Sequence, residues 1–332
     1  MTARYEHPHS LRRALEDRLK TQARTSGLPL DRLRKEAAFE RLLARFVVAA
    51  PEGSWALKGG LAMLARVGAH ARTTADADTT WRADADQLQD TLARSAEIDL
   101  ADHFEFLIGS PSSLHGEGPE GGVRFPIESR LAGRLFEHIR LDVNLSASDP
   151  RPVEALRLRN HFEFAGLPDV VVPAISSGQQ LAEKLHAYTR DYATGENTRA
   201  KDLYDMLIIA AQLRVPPLAE LAGACQTTFA LRHTQWPPSL NPPPPAWARP
   251  WGGFVRDYHI PFATLANAYA ALVAFWTPAL TTPVSAREWD PSSWTWRPAK
   301  VALLTDPWVW SAGKGGPVSA EAEHGESDQG VG

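Results

Sequence analysis

Trp55-Ala56-Leu57-Lys58-Gly59-Gly60, followed by Arg72-Thr73-Thr74-Ala75-Asp76-Ala77-Asp78, is the stretch on which the fold turns. Its first four residues form a short strand-like run that meets two glycines, where a strand gives way to a helix. Leu61, Leu64 and Ala65 then continue at helical spacing. Bare backbone N–H groups at such a helix start meet phosphate oxygens well. Thr74 to Trp81 reads as the next strand. On a strand, Asp76 and Asp78 point to one face, because side chains alternate with period two. Two carboxylates beside a phosphate cradle make a candidate Mg²⁺ site.

Upstream, residues 9–26 and 30–50 read as helices. In the second, Leu33, Ala37, Ala38, Leu42, Leu43 and Phe46 approximate one apolar face, with Asp31 able to cap its start. Downstream, Leu88, Leu92 and Ala96 mark a helix, and Phe104 to Ile108 alternates like a strand. Gly116 to Gly122 is a loop or hairpin turn. Val123 to Leu131 and Leu135 to Leu145 read as two strands around Gly133. This pattern predicts an α/β (α+β) domain with a mixed sheet.

The character changes near 170. Val170-Val171-Val172-Pro173 leads into a mostly helical remainder, with helices expected at 176–193, 198–213, 216–231 and 259–277. The proline-rich run from Trp236 to Pro245 is an extended connector. Three parts result: N-terminal helices and sheet domain over 1–170, a helical domain over 171–312, and a disordered tail over 313–332, rich in Gly, Ser, Ala and acid.

The 332 residues are 44% hydrophobic and 22% charged, which suits a globular protein with a real core. A net charge of −4 means that any nucleic-acid partner needs a local basic surface. Arg12, Arg13, Arg18, Lys20, Arg24, Arg32, Arg34, Lys35, Arg41 and Arg45 crowd the N-terminal helices and would supply one. Glu16, Asp17, Asp31, Glu36 and Glu40 are interleaved, so solvated helix faces with i,i+4 pairs are the plainer reading. The single Cys225 excludes an intramolecular disulfide and a cysteine-based zinc site. The first residues lack the apolar run of a signal peptide, and no run reaches the roughly 20 apolar residues of a membrane span. A cytoplasmic protein without membrane contact is expected. Leu265 to Trp276 reads as a core helix.

Asp142 lies in the apolar run Ile139-Arg140-Leu141-Asp142-Val143, where a carboxylate is costly unless paired or bound to a cation. With Asp76 and Asp78 it would complete an oxygen-rich metal set. The plainer alternative is a turn-capping Asp-x-Asp and an Asp142 paired with Arg140 or a neighbour. Asp84 repeats the pattern just before a helix and reads as an N-cap. In the helical half, Lys184 borders the apolar positions Leu181, Leu185 and Tyr188. It either snorkels or carries its ammonium to a triphosphate in the cleft between domains. Asp202 and Asp205 lie one turn apart and either cap their helix or orient Lys184 or a nucleotide.

Lys58-Gly59-Gly60, then Thr74-x-Asp76-x-Asp78, then a helix bearing Lys184, then Lys201-Asp202-x-x-Asp205 resembles the AbiEii/AbiGii toxin family, which includes the mycobacterial MenT toxins. The resemblance covers about residues 30–280, including Phe229-Ala230-Leu231-Arg232-His233-Thr234 before the prolines. It implies a polymerase-beta-like nucleotidyltransferase core. It implies that Thr74, Asp76 and Asp78 form the first catalytic motif, with Lys184 and Asp202 as essential partners. It further implies a cognate antitoxin, often of winged-helix type, and in some members an acceptor at the 3′ end of tRNA. Ala75 and Ala77 depart from the larger apolar residues usual there and weaken the local strand signal.

Together these readings predict a Mg²⁺-dependent nucleotidyltransferase. Lys58, Gly59, Gly60, Thr74 and Lys184 would hold an NTP; Asp76, Asp78 and Asp142 would hold the metal; Asp76, Asp78, Asp142, Lys184 and Asp202 would carry catalysis. A protein-modifying nucleotidyltransferase, an NTP-binding regulator and a metal-dependent phosphohydrolase remain as alternatives.

Overall fold

A computed structural model describes residues 5–82, 85–114, 122–145, 153–190, 199–237, 239–258, 260–281 and 286–299. Two helices open the chain, α1 (Pro8–Ser26) and α2 (Leu30–Ala49). The sheet region follows: β1 (Trp55–Lys58), α3 (Gly59–Val67), β2 (Asp76–Trp81), α4 (Ala85–Glu97), β3 (Phe104–Ile108), β4 (Ser112–Leu114), β5 (Gly122–Leu131), β6 (Arg134–Leu145), β7 (Val153–Arg157) and β8 (Val171–Ile175). Then come α5 (Ser177–Thr189), α6 (Ala200–Gln212), α7 (Leu218–Leu231), α8 (Ala248–Tyr258), α9 (Leu265–Leu280) and a hairpin, β9 (Arg287–Asp290) with β10 (Thr295–Pro298). The mixed α/β architecture with a helix-rich C-terminal half is the expected one.

The main sheet runs β3-β5-β6-β2-β1-β8-β7, with β4 on β5. β6 pairs β2 in parallel and β1 pairs β8 in parallel; β2–β1, β5–β6 and β8–β7 are antiparallel. Ala77, Thr79 and Trp81 on β2 share a buried face with Leu141 and Val143 on β6. Phe46 of α2 meets Trp55 and Trp81 edge-on at 5.7 and 5.8 Å, so α2 covers this face. Alternation then sends Asp76, Asp78 and Asp142 to the other face. The low strand propensity of Ala75 and Ala77 is overridden by neighbours on both sides: β2 begins at Asp76, clamped between β1 and β6.

Several sequence expectations need correction. Three of the five basic residues of α2 form neither a solvated face nor a nucleic-acid surface. Arg32, Arg41 and Arg45 are buried with Glu36 and Glu40. Arg41 and Arg45 both donate to the fully buried Asp102, and Arg32 donates to Glu36 at 2.9 Å. A helix buried on nearly all sides keeps its charges only by pairing them internally. Asp31 lies in the first turn of α2; the cap position is Pro29. The final long helix starts at Leu265 rather than 259, because Thr264 caps it by accepting from the Asn267 N–H. Strands β4 and β7 and the β9–β10 hairpin carried no clear periodic signal; α8 did, since Trp251, Phe254, Val255 and Tyr258 recur at helical spacing, yet it is absent from the helices expected above. The Asp84 cap and the tail over 313–332 lie outside the described residues.

The proline-rich connector is anchored from both sides. The Tyr188 hydroxyl donates to the Asn241 carbonyl and that of Tyr269 to the Leu240 carbonyl, each at 2.7 Å. No helix among the described residues is long and apolar enough to cross a membrane.

Candidate active site

The site begins with strand register. Asp78 on β2 lies opposite Asp142 on β6 and opposite Lys58 on β1, while Asp142 lies opposite Arg124 on β5. Across four neighbouring strands, one face therefore reads Arg124, Asp142, Asp78, Lys58. Asp76, two residues before Asp78, shares that face and pairs in register with Arg140. All three aspartates of the sequence expectation thus come from two adjacent parallel strands.

Their carboxylates are engaged. Arg124 grips Asp142 through two bonds of 2.7 and 2.6 Å and reaches Asp76 at 3.5 Å. Arg140 Nε donates to Asp76. The fork on Asp142, then the other acids, raises the Arg124 pKa above its ordinary value. Buried Asp142 is paired, as an acid in an apolar strand must be, but with Arg124 rather than Arg140.

The glycines also meet a packing constraint that their spacing did not suggest. Gly59 has φ +65°, and a Cβ there would stand 2.0 Å from Asp78 Oδ2. A Cβ on Gly60 would stand 2.8 Å from the Thr74 Cβ. The two glycines let the start of α3 lie directly against the aspartate strand, and the Gly60 N–H points to Asp78 Oδ2 at 3.4 Å. Thr74 folds back on the chain entering β2, its hydroxyl donating to the Asp76 carbonyl at 2.9 Å. Gln180 on α5 donates to the Gly59 carbonyl at 2.9 Å, tying the glycine turn to the helical half.

Lys184 projects from α5 into a buried ion cluster. Its ammonium meets Asp205 at 2.5 Å and Asp202 at 3.5 Å, both on α6. Arg72 forks onto Asp205 at 2.9 and 2.8 Å. Burial alone would raise the Asp205 carboxyl; Lys184 and Arg72 hold it down to about 2. Burial would likewise lower the Lys184 pKa, and the two aspartates reverse this and raise it. Asp205 is the hub that fixes both cations; neither acid caps α6, whose cap position is Arg199.

These groups border one cleft of about 500 Å³. Lys58, Gly59, Gly60 and Asp78 line it from the sheet, and Arg72, Lys184 and Asp202 border it, joined by Gln180, His186 and Arg232. Asp76, Asp142 and Thr74 are not among the lining residues; Asp142 adjoins Asp78 in register, and Thr74 packs against Gly60.

Three oxygen-donor carboxylates on one face suit a hard divalent cation such as Mg²⁺ in kind. Arg124 and Arg140 hold Asp142 and Asp76 in the observed arrangement. Among the described residues no three His, Cys, Asp or Glu side chains are grouped closely enough to enclose an ion.

Residues 41–270 match the family model for the nucleotidyl transferase AbiEii toxin of a type IV toxin–antitoxin system. The chain belongs to the AbiEii family. This makes it a nucleotidyltransferase of the toxin type and implies an NTP substrate and an antitoxin. No curated protein sequence matches the chain. Among solved structures, it is similar to MenT4, a nucleotidyltransferase toxin of Mycobacterium tuberculosis H37Rv. The identity is 19%, over 62% of this chain and 68% of that one, with a TM-score of 0.45. An antigenic nucleotidyltransferase-like protein from Paracoccidioides brasiliensis is 20% identical over 59% of this chain and 90% of that one, with a TM-score of 0.32.

In this AbiEii protein, sequence spacing missed Arg124, Arg72, Gln180, His186 and Arg232. For α5 a signal existed: Gln180, Glu183, Lys184 and Ala187 recur at i, i+3, i+4 and i+7 along one side of the helix, and all four line the cleft. Arg124 and Arg72 carried none, because their partners are set by sheet register and helix docking.

Proposed function

We propose that the protein transfers a nucleoside monophosphate from an NTP to an acceptor hydroxyl at the 3′ end of tRNA. This blocks translation and growth until a cognate antitoxin of winged-helix type neutralises it. The observation that carries this reading is the register that aligns Asp78 with Asp142, and Asp76 beside them, on the face that meets the Lys184 cleft. The tRNA acceptor and the antitoxin type rest on the family resemblance.

In this reading the N-terminal part (1–170) supplies the acids and the helical part (171–312) supplies Lys184. The triphosphate lies against Gly59 and Gly60, with Lys58 beside it. Asp76, Asp78 and Asp142 would hold Mg²⁺, which would supply Lewis-acid polarisation of the phosphates and so lower the barrier to displacement. Arg124 and Arg140 must then release their aspartates. The acceptor oxygen bonds to the α-phosphorus as the bond to the β-phosphate oxygen breaks, and pyrophosphate leaves. Asp142 takes the hydroxyl proton. Lys184, kept charged by Asp205 and Asp202, stabilises the negative charge that builds on the phosphate oxygens.

The test supplies each labelled NTP with total RNA and lysate. Transfer of label to RNA is expected, and Asp76→Ala abolishes it. Undiminished transfer by that variant would reject the site; labelled protein in place of RNA would reject the acceptor.

A further inference from the structure

The part of the cleft built by the ends of α5, α6 and α7 presents cations. Arg190, Arg199, Lys201 and Arg232 line it together with His186 and outnumber the acids beside them, Glu183 and Asp202, the latter 3.7 Å from Arg199. Neither His186 nor any of these cations belongs to the transfer machinery described above.

His186 and Arg232 are the informative pair. Arg232 Nη1 lies 2.9 Å from His186 Nδ1. A guanidinium has donors only, so Nδ1 must accept. Burial first, and then Arg232 and Arg190, push the His186 pKa down to about 4, so the ring is neutral at pH 7 and its proton sits on Nε2. His186 is 3% exposed, and its Nε2 has no hydrogen-bond partner among the described residues. Phe229 packs edge-on against the ring at 5.1 Å and fixes its plane. The turn carrying Arg232 is fixed too: His233 N–H donates to the Ala230 carbonyl and Thr234 N–H to the Phe229 carbonyl, each at 3.0 Å.

This corner therefore offers an anchored guanidinium, an unpartnered N–H and further cations. The His186–Arg232 pair itself offers a ligand only donors, because its one acceptor, Nδ1, is occupied. A nucleobase edge mixes donors with acceptors; a phosphate presents acceptors alone. We propose that Arg232, positioned by His186, binds the terminal phosphates of the nucleotide substrate. The inference rests on the transfer reading for the identity of that substrate.

Binding of inorganic triphosphate to the full chain, measured by calorimetry, tests it directly. Arg232→Gln weakens binding at least about tenfold, the size of one charge-assisted hydrogen bond. Arg232→Lys, which keeps the charge and the fold but loses the fork, lies between. His186→Phe keeps the contact with Phe229 and loses affinity, whereas His186→Gln, able to accept from Arg232 and to donate, restores most of it. Arg256→Gln, outside the cleft, binds as the parent does. Melting curves confirm that each variant is folded. Triphosphate affinity unchanged in both Arg232 variants, or lowered equally by Arg256→Gln, overturns the proposal. So does a short oligoribonucleotide whose binding depends on Arg232 while triphosphate binding does not, since that assigns the corner to the acceptor strand. Label transfer by the same preparations separates the two claims. Transfer by the parent protein with Arg232-independent triphosphate binding rejects this inference alone. Arg232-dependent binding without any transfer rejects the enzymatic reading alone.

Discussion

Two buried ion clusters of similar make-up lie in this protein, and they differ in what borders them. In one, Arg41 and Arg45 of α2 converge on Asp102, while Arg32 pairs with Glu36 and His161 lies against Glu36 and Glu40. In the other, Lys184 and Arg72 converge on Asp205, with Asp202 beside them. Both solve the same problem of keeping charges under an apolar layer. The first ties α2 to the start of β3, and none of its members lines the 500 Å³ cleft. Lys184, Arg72 and Asp202 of the second do line it. Burial and pairing therefore do not by themselves mark a site; what sets the second cluster apart is that it borders the cleft that Lys58, Gly59 and Asp78 also line.

The largest expected effects come from removing either hub. Asp102→Ala strands two buried arginines and should cost about 3–5 kcal/mol of stability in denaturant unfolding, as should Asp205→Ala. Only the second should also weaken binding in the cleft. Retained triphosphate binding by folded Asp205→Ala would erase the distinction between the clusters.

Next is Lys184→Gln. Loss of one preorganised cation should lower label transfer by about 10²–10³-fold. Arg41→Gln, in the other cluster, should leave transfer per folded molecule unchanged.

Gly59→Ala should cost about 1–3 kcal/mol, because the new methyl group meets Asp78 Oδ2 in a left-handed backbone. Transfer should fall with it, since Asp78 must move. A variant of parental stability and rate would show that the glycine turn is loose.

The smallest effects separate the clusters by pH. Asp205 is held at about 2 against an ordinary 3.8, so its stabilisation is complete above 3.8 and is lost as pH falls toward 2. Burial opposes the His161 charge, but Glu36 and Glu40 raise its pKa above the ordinary 6.5. Its stabilisation is complete below 6.5 and is lost as pH rises through the raised value. Unfolding curves across pH should show an acid limb that disappears in Asp205→Asn and an alkaline limb that disappears in His161→Gln.

Much of the scaffold was legible in the chain. The apolar run ending at Gly59, the alternation around Asp76 and Asp78, and the periodicity of α2, α5 and α9 are local patterns, and local patterns declare their own element. The burial of α2 on nearly all sides was not legible. Its interleaved charges match an exposed face, and only Asp102 and His161, distant in sequence, show that they are paired inside.

The sequence by itself determined which residue types were available: three strand aspartates, a lysine on a later helix, and glycines where backbones must touch. Tertiary structure decided who meets whom. Counting back from the Leu131–Arg134 turn would place Arg124 opposite Leu141. A bulge between Ser129 and Arg130 shifts the register so that Arg124 lies opposite Asp142. One residue of slip exchanges the two faces of a strand, so this single irregularity gives Asp142 its partner. Strand faces follow from alternation along one segment, whereas register and helix docking follow from contacts between segments, which the order of residues along the chain does not specify.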